Sequence, residues 1–181
     1  MQPERHIKNL ALIGFMGVGK STVGHFLAAN LHYEFLDTDH LIETRAGRSI
    51  PEIFETAGEA AFRQLERQVI LELAQKENTI IATGGGLPCF DDNINQLKAH
   101  ALLVCLWASP ETIWERVRHS SHRPLLQTPD PLGRIRELLA QRESFYRQAD
   151  LLISTDLRPS REIAQFILHE FYAVRNPKAG S

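Results

Sequence analysis

Short apolar runs alternate with amphipathic segments along most of the chain. The apolar runs cover residues 10–13, 33–36, 79–82, 101–106 and 151–153. Each run is short and apolar enough to be a buried strand. Strands that alternate with helical segments predict an α/β fold, here a five-stranded parallel sheet with helices on both faces. The functional site of such a sheet is expected at the carboxyl ends of its strands.

Helical periodicity and capping residues define the segments between these strands. Ser49 is predicted to cap a helix with Pro51 in its first turn, and Gly58 is predicted to break that helix. The predicted helices cover residues 21–31, 41–47, 49–58, 59–75, 93–99, 109–118, 132–148 and 160–172. The helix at 59–75 has an apolar seam made of Phe62, Leu65, Val69 and Leu73.

A glycine-rich loop follows the first predicted strand. Residues 14–21 match the pattern G-x-x-x-x-G-K-S of phosphate-binding loops, and a strand and a helix flank them as that motif requires. Backbone N–H groups of such a loop surround phosphate oxygens. Lys20 is expected to contact the β- and γ-phosphates, and the Ser21 hydroxyl is expected to bind Mg²⁺. The motif therefore predicts a site for a nucleoside triphosphate. The helix that follows is predicted to bury Val23, Phe26, Leu27 and Leu31 on one face.

Two acidic residues, Asp37 and Asp39, follow the second predicted strand. Because they are two residues apart in a segment predicted to be extended, both carboxylates are expected on one side, where one supports a metal and the other meets a substrate. The alternative is that Asp39 caps a helix and Asp37 lies in a surface turn. The third strand runs into three glycines, residues 84–86, which indicate either close approach of the backbone to a ligand or a tight turn.

Three arginines are candidate anion ligands. Arg123 lies in residues 119–133, a polar segment with three prolines that is predicted to form a lid. Arg63 and Arg142 lie on predicted helices, and each considered alone is more typical of a solvated helix position than of a ligand.

Bulk properties exclude several classes of function. The chain has 181 residues, 43% of them hydrophobic, and a net charge of −2, which suit one domain without a field that attracts nucleic acid or anionic membranes. Cys89 and Cys105 show no paired or metal-binding spacing, as expected in a reducing compartment. No signal peptide or membrane span is evident, so a cytoplasmic location is expected, with a disordered tail over about residues 174–181.

Several of these elements together resemble the shikimate kinase family. The resemblance is carried by residues 37–66, by the glycines at 84–86, by Arg-Pro-Leu-Leu at 123–126, and by Arg142 with Tyr146. It extends over about residues 7–172 and keeps the family's order and spacing. It implies a P-loop kinase fold with strand order 2-3-1-4-5 and a lid. The implied activity is transfer of the γ-phosphoryl group of ATP to the 3-hydroxyl of shikimate, in aromatic amino-acid biosynthesis, with ATP and Mg²⁺ bound and with the enzyme monomeric.

The resemblance also implies roles for individual residues. Lys20, Asp39 and Arg123 would be catalytic, and Ser21 and Asp37 would hold the metal. Shikimate would be bound by Asp39, Arg63, Gly84, Gly85, Gly86 and Arg142. ATP would be bound by Gly14, Met16, Gly17, Val18, Gly19, Lys20, Ser21, Thr22, Arg123, Arg158 and Pro159. The adenine platform would include Arg116 or Arg118, and the choice between them stays open.

Other functions remain possible at this stage. A nucleoside monophosphate kinase shares the loop and the lid but needs a base pocket, and a gluconate kinase does not need the arginine pair. A non-catalytic nucleotide-binding regulator is a third alternative, although such relatives usually lose a site residue. A signalling GTPase is disfavoured because the chain has no Asn-Lys-x-Asp motif.

Overall fold

The computed structural model describes residues 5–90, 92–119, 126 and 128–175. Its strands are β1 (Asn9–Ile13), β2 (Glu34–Asp37), β3 (Thr79–Ala82), β4 (Ala101–Trp107) and β5 (Leu151–Ser154). All four strand pairings are parallel, and the strand order is β2-β3-β1-β4-β5. This order confirms the one that the family resemblance implied.

Helices surround the sheet, as the alternating pattern predicted. They are α1 (Lys20–Leu31), α2 (Thr38–Ala46), α3 (Ile50–Leu73), α4 (Asn93–His100), α5 (Pro110–Val117), α6 (Pro131–Tyr146) and α7 (Ser160–Arg175), with a 3-10 helix at Leu87–Cys89. None of the helices in the described part of the chain is long and apolar enough to cross a membrane.

The central strands form the core because they are apolar and covered on both sides. Every residue of β1 is buried, and the first six residues of β4 are buried as well. Leu12 of β1 pairs with Ala82 of β3 and with Val104 of β4, which places the end of β1 between two buried neighbours. Burial of this strand fixes the direction in which the phosphate loop leaves the sheet.

The predicted helix boundaries at residues 47–58 are confirmed, with one refinement. Ser49 forms a capping box with Glu52, and Gly47 ends α2 with a φ of 60°. Gly58 has φ 80° and ψ 174°, values that are not helical, so it kinks α3 instead of separating two helices. The kink sets the direction of the segment that carries Arg63.

One predicted buried residue and two predicted segment boundaries need correction. Phe26 is 39% exposed, because α1 buries only the narrower face that contains Val23 and Leu27. Residues 131–133 belong to α6, whose first turn is capped by Asp130, so the predicted lid is too long at its end. Helix α7 continues to Arg175, which shortens the predicted tail. Residues 176–181, and residues 120–125 and 127 of the predicted lid, among them Arg123, lie outside the described residues.

Candidate active site

A cleft of about 520 Å³ lies at the carboxyl ends of the strands. Its walls come from the phosphate loop, the start of α2, the glycines after β3, α5 and the β5–α7 connection. The lining residues are Met16, Gly17, Val18, Gly19, Lys20, Ser21, Thr22, Asp37, Asp39, Thr83, Gly84, Gly85, Arg116, Thr155, Arg158 and Ser160. Most of the predicted nucleotide-binding residues therefore share one cavity with both aspartates.

The backbone of the phosphate loop requires glycine. Gly14 has a φ of 134°, and a Cβ atom at this position would overlap the carbonyl oxygen of Leu106 on β4. Gly19 has a φ of 99° and precedes the first residue of α1. The loop thus passes close to β4 and then turns into α1, whose N-terminal N–H groups face the cleft and favour a bound anion.

Lys20 lies across this loop. Its Nζ donates to the carbonyl oxygens of Gly14 and Phe15, at 2.7 and 2.9 Å. The ammonium group is therefore held over the concave side of the loop by the loop's own backbone. This is the position from which a lysine can contact the β- and γ-phosphates of a triphosphate.

Both Asp37 and Asp39 line the cleft, but neither sequence interpretation describes their local structure correctly. They do not lie in one extended segment, because α2 begins at Thr38. Asp37 is the cap of α2, and its Oδ1 accepts from the backbone N–H groups of Asp39 and His40, at 3.0 and 3.3 Å. The cap is therefore Asp37 and not Asp39. The other oxygen, Oδ2, lies 3.5 Å from the Ser21 hydroxyl, so Asp37 also faces the phosphate loop.

Asp39 lies against the glycines that follow β3. A Cβ atom at Gly84 would overlap the Asp39 carboxylate, and the N–H of Gly84 donates to Thr38 Oγ1 at 2.9 Å. These contacts join the start of α2 to the end of β3. They explain glycine at position 84, where the Asp39 carboxylate leaves no room for a side chain, and the predicted approach of the other two glycines to a ligand stays a prediction.

Arg63 is enclosed by acidic and aromatic side chains. Its guanidinium pairs with Glu66 at 2.6 Å and with Glu59 at 3.0 Å. It also lies 3.5 Å from the centre of the Phe90 ring and 5.2 Å from that of Phe62. Arg63 is therefore a fixed side chain with a defined direction, unlike a solvated helix arginine.

Glu66 is the buried partner that holds Arg63. Its side chain is 2% exposed, and loss of solvation raises the pKa of the carboxyl from 4.5 to about 7, although Arg63 opposes the shift. The negative charges of Asp39 and Glu59 contribute to the increase. The Glu66 carboxyl therefore changes charge near neutral pH, directly behind Arg63.

Arg142 approaches the same glycines from α6. A Cβ atom at Gly86 would lie 3.6 Å from Arg63 and 3.8 Å from Arg142, and one at Gly85 would lie 3.5 Å from Arg142. The Arg142 guanidinium also lies 5.3 Å from the centre of the Phe15 ring. Two guanidinium groups on separate helices thus converge on one stretch of glycine backbone, next to the carboxylate of Asp39.

At the other end of the cleft, only one of the two arginines that are candidates for the adenine platform is among the lining residues. Arg116 lines the cleft, and it donates to Thr155 Oγ1 at 2.9 Å, to the Thr155 carbonyl at 2.6 Å and to the Gly17 carbonyl at 3.3 Å. Arg118 pairs with Glu115 on the exposed side of the helix end. Of the other two predicted residues, Arg158 lines the cleft, whereas the Pro159 carbonyl accepts from Glu162 in the first turn of α7.

Sequence reasoning missed residues that support the site from behind. Glu66 could have been found, because it lies three positions after Arg63 on a helix, where side chains meet. Phe90 and Thr155 carry no such signal, since each meets its arginine only through the tertiary fold.

A phosphate loop and an acidic pair in one cleft, with two arginines converging on the glycines next to it, define a phosphate-loop kinase for a small anionic acceptor. A family model described as shikimate kinase matches residues 16–172. The chain belongs to the shikimate kinase family, and it is an ATP-dependent kinase that acts on shikimate.

Individual relatives agree with this assignment. The chain is 43% identical to the shikimate kinase of Caldanaerobacter subterraneus over 93% of this chain and 99% of that protein. It is 47% identical to that of Burkholderia lata over 88% of this chain and 87% of the relative. The structure superposes with a TM-score of 0.88 on the Acinetobacter baumannii shikimate kinase solved with shikimate, at 39% identity over 96% of both chains. A gluconokinase from Sinorhizobium meliloti has a TM-score of 0.59 at 15% identity and shares the fold alone.

Proposed function

We propose that the enzyme transfers the γ-phosphoryl group of ATP to the 3-hydroxyl of shikimate, with the two substrates at opposite ends of the cleft. The observation that carries this proposal is the convergence of Arg63 and Arg142 on Gly86, two residues after Gly84, which contacts Asp39 and lines the cleft together with the phosphate loop. A carboxylate at the arginine pair directs the ring of the acceptor toward Asp39. A triphosphate in the loop directs its terminal phosphate the same way.

The phosphate loop and Lys20 bind the triphosphate in this proposal. The loop provides N–H groups and the start of α1, and Lys20 exchanges its contacts with the carbonyls of Gly14 and Phe15 for phosphate oxygens. The predicted loop residues Met16, Val18 and Thr22 line the same cavity, in agreement with this role. Positive charge here offsets the charge that develops on the phosphoryl group during transfer.

Ser21 and Asp37 are proposed to hold Mg²⁺. Their oxygens lie 3.5 Å apart at the mouth of the loop, which suits direct contact with the hydroxyl and contact with the carboxylate through water. The described residues contain no cluster of three or more His, Cys, Asp or Glu side chains that could hold a metal. That fits Mg²⁺, which keeps several waters and takes its remaining ligands from substrate phosphates, whose charge it neutralises.

The acceptor end is proposed to bind shikimate by its charge and its hydroxyls. Arg63 and Arg142 together can present several N–H donors to one carboxylate, and the Gly85 and Gly86 backbone adds polar groups beside them. Asp39 accepts a hydrogen bond from the attacking hydroxyl and then takes its proton. Glu66 acts through Arg63, whose orientation it fixes at a distance of 2.6 Å.

The remaining contacts complete the nucleotide end. Arg116 is proposed to contact adenine, because its guanidinium is held at the cleft by Thr155 and by the Gly17 carbonyl, and Arg158 with Pro159 is proposed to flank the base. Arg123 is proposed to close over the phosphates with the lid, which excludes water from the γ-phosphate.

We further propose that the chain works as a single-domain monomer in the cytoplasm, without nucleic acid or membrane partners. The net charge of −2 creates no strong attraction to polyanions. Light scattering behind size-exclusion chromatography tests the oligomeric state, since a stable dimer would contradict this proposal.

One assay tests the proposed reaction. ADP release is measured with ATP and shikimate, and in parallel with gluconate, AMP, UMP or the methyl ester of shikimate as acceptor. We expect turnover with shikimate and a large loss with the ester, which cannot form the charged contact with the arginines. The position of the phosphoryl group on the product follows from phosphorus–proton coupling in NMR. An equally good ester, or phosphorylation at another hydroxyl, would contradict the proposed binding mode.

A further inference from the structure

The last residue of α6, Tyr146, places a hydroxyl group behind the glycines of the acceptor end. Its side chain is 1% exposed, and the hydroxyl donates to the carbonyl oxygen of Gly85 at 2.7 Å. Burial raises the pKa of this hydroxyl, so it stays protonated over the working range of pH and remains a donor to Gly85.

Arg142 lies one helical turn before Tyr146 and approaches the same peptide. A Cβ atom on Gly85 would lie 3.5 Å from the Arg142 guanidinium, and one on Gly86 would lie 3.8 Å from it. The charge of Arg142 also opposes the increase in the pKa of the Tyr146 hydroxyl. The proton of this hydroxyl goes to the Gly85 carbonyl, which can only accept, while Arg142 lies beside the same peptide.

Gly85 is the point where both ends of the cleft meet. A Cβ atom on Gly85 would lie 3.5 Å from the Gly14 carbonyl oxygen, from the Met16 backbone nitrogen and from the Arg142 guanidinium. The orientation of the Gly85 peptide therefore determines where the backbone of the glycines at 84–86 lies relative to the phosphate loop. In the described part of the site, the Tyr146 hydroxyl is the side-chain group that bonds to its carbonyl.

We propose that Tyr146 is a positioning residue, whose hydroxyl holds the Gly85 peptide in fixed relation to the neighbouring Arg142 guanidinium and thereby sets the affinity for the acceptor carboxylate. This inference rests on the proposed assignment of Arg142 and Gly85 to shikimate. Because Tyr146 is buried, it acts through the Gly85 peptide and not by contact with the substrate. Without the hydroxyl the Gly85 carbonyl has several orientations, and only one of them leaves the peptide and Arg142 matched to a planar carboxylate.

Tyr146→Phe tests this role because it keeps the ring and removes the hydroxyl. We expect the Kd and KM for shikimate to rise about 5- to 150-fold, the range for a buried group left without its partner. The KM for ATP should change less than about twofold, since the phosphate loop keeps its own contacts. Incorporation of 4-aminophenylalanine at the same position restores a group that donates and accepts, and it should recover most of the lost affinity.

Two matched substitutions separate positioning from general stability. Thr155→Val removes the hydroxyl that accepts from Arg116 at the other end of the cleft, and it should raise the KM for ATP without changing that for shikimate. Tyr172→Phe removes a hydroxyl from a tyrosine that is 51% exposed on α7, and neither constant should change. The affinity ratio between shikimate and its methyl ester gives a further measure, because Tyr146→Phe should reduce that ratio and a purely structural role leaves it unaltered.

The outcomes distinguish this inference from the proposed function. If Arg142→Lys leaves shikimate binding intact, the carboxylate assignment is wrong and the role of Tyr146 is wrong with it. If Arg142→Lys weakens shikimate binding but Tyr146→Phe does not, only the positioning role is refuted. The positioning role would also be refuted if Tyr146→Phe weakened the binding of shikimate and of ATP equally, or if it lowered only the melting temperature. Failure of both position-146 variants to fold would refute it as well. The role is supported by selective loss for shikimate together with rescue by the amino analogue.

Discussion

At the phosphate end of the cleft, one continuous stretch, residues 14–21, supplies most of the surface with its backbone and one lysine. At the acceptor end, side chains arrive from three different helices: Asp39 from α2, Arg63 from α3 and Arg142 from α6. Of the residues behind them, Glu66 shares α3 with Arg63 and Tyr146 shares α6 with Arg142, whereas Phe90 follows the 3-10 helix after β3.

The difference in construction has a physical consequence. A loop made of backbone groups depends on local φ and ψ values and on one buried strand, so its geometry is nearly complete once β1 and α1 have formed. The acceptor end depends on the relative placement of whole helices, on the kink at Gly58 and on buried polar partners. Substitutions of residues behind the acceptor end should therefore change shikimate binding selectively. At the phosphate end the backbone makes most of the surface, so few side-chain substitutions there should change ATP binding.

The two aspartates give the largest expected effect. Asp39→Asn removes the group proposed to take the proton, so kcat should fall by about 10²- to 10⁴-fold at any Mg²⁺ concentration, with ATP binding intact. Asp37→Asn preserves the cap of α2, because Asn caps as well as Asp, and it removes only the charge near Ser21. Its smaller defect should be partly recovered by added Mg²⁺.

Kinetics at several Mg²⁺ concentrations, together with a thermal melt of each variant, measure both effects. An active Asp39→Asn enzyme would refute the assignment of the base. An Asp37→Asn defect that is independent of Mg²⁺ would remove Asp37 from the metal site.

Lys20→Ala should produce the next largest loss. It removes the cation held over the loop, and the loss of one such electrostatic contact lowers kcat by about 10²- to 10³-fold. The melting temperature should change little, because Lys20 is only partly buried and its contacts with the Gly14 and Phe15 carbonyls join neighbouring residues of one loop. Lys76→Ala, which removes a surface ion pair with Glu34, is the control and should keep full activity. Near-normal turnover in folded Lys20→Ala would exclude the proposed triphosphate site.

Arg63→Lys tests the acceptor end with an intermediate expected effect. Lysine keeps the charge but loses the planar fork, so shikimate affinity should fall roughly ten- to a hundredfold, the cost of a charge-assisted hydrogen bond. Arg67→Lys is the matched control on the same helix, because Arg67 is exposed and faces α4 away from the cleft. Isothermal titration with shikimate, and separately with ATP, should show a loss for Arg63→Lys with shikimate only.

The smallest expected effect is the pH dependence of stability that arises from Glu66. Its pKa is about 7 in the folded protein and near 4.5 when exposed, so the unfolded chain loses this proton first as pH rises. The contribution of Glu66 to stability is therefore present below pH 4.5 and is lost as pH rises through 7. Compared with Glu66→Gln, the wild-type melting temperature should fall on the order of 5–10 °C between pH 4.5 and pH 8.

Differential scanning fluorimetry across this range measures the pH effect. Glu72→Gln on the same helix is the control, because Glu72 forms an exposed pair with Arg45 and should leave the pH profile unchanged. Parallel pH profiles for wild type and Glu66→Gln would show that Glu66 stays ionised beside Arg63.

Much of the architecture could be predicted from local pattern. The five predicted strands agree with the observed ones to within a residue at each end, and the cap at Ser49 is visible as a residue type. Gly58 is also visible, although it kinks one helix where a break is predicted. Local pattern failed where the packed face of a helix is narrower than its apolar periodicity, and where one side chain has two contacts. Phe26 fits the apolar periodicity of α1 but lies outside the face that packs, and Asp37 has both a capping role and a place facing Ser21.

By itself the sequence determined the alternation of strands and helices, the phosphate loop and the family resemblance, because each is encoded by residues close together in the chain. Only the tertiary structure decided that Arg116 and not Arg118 faces the cleft, that Phe90 packs on Arg63, and that Tyr146 holds the Gly85 carbonyl beside Arg142. These contacts join residues that a linear pattern does not relate. They depend on the packing of α3 and α6 against the loops at the ends of β1 and β3, and such packing is a property of the whole fold.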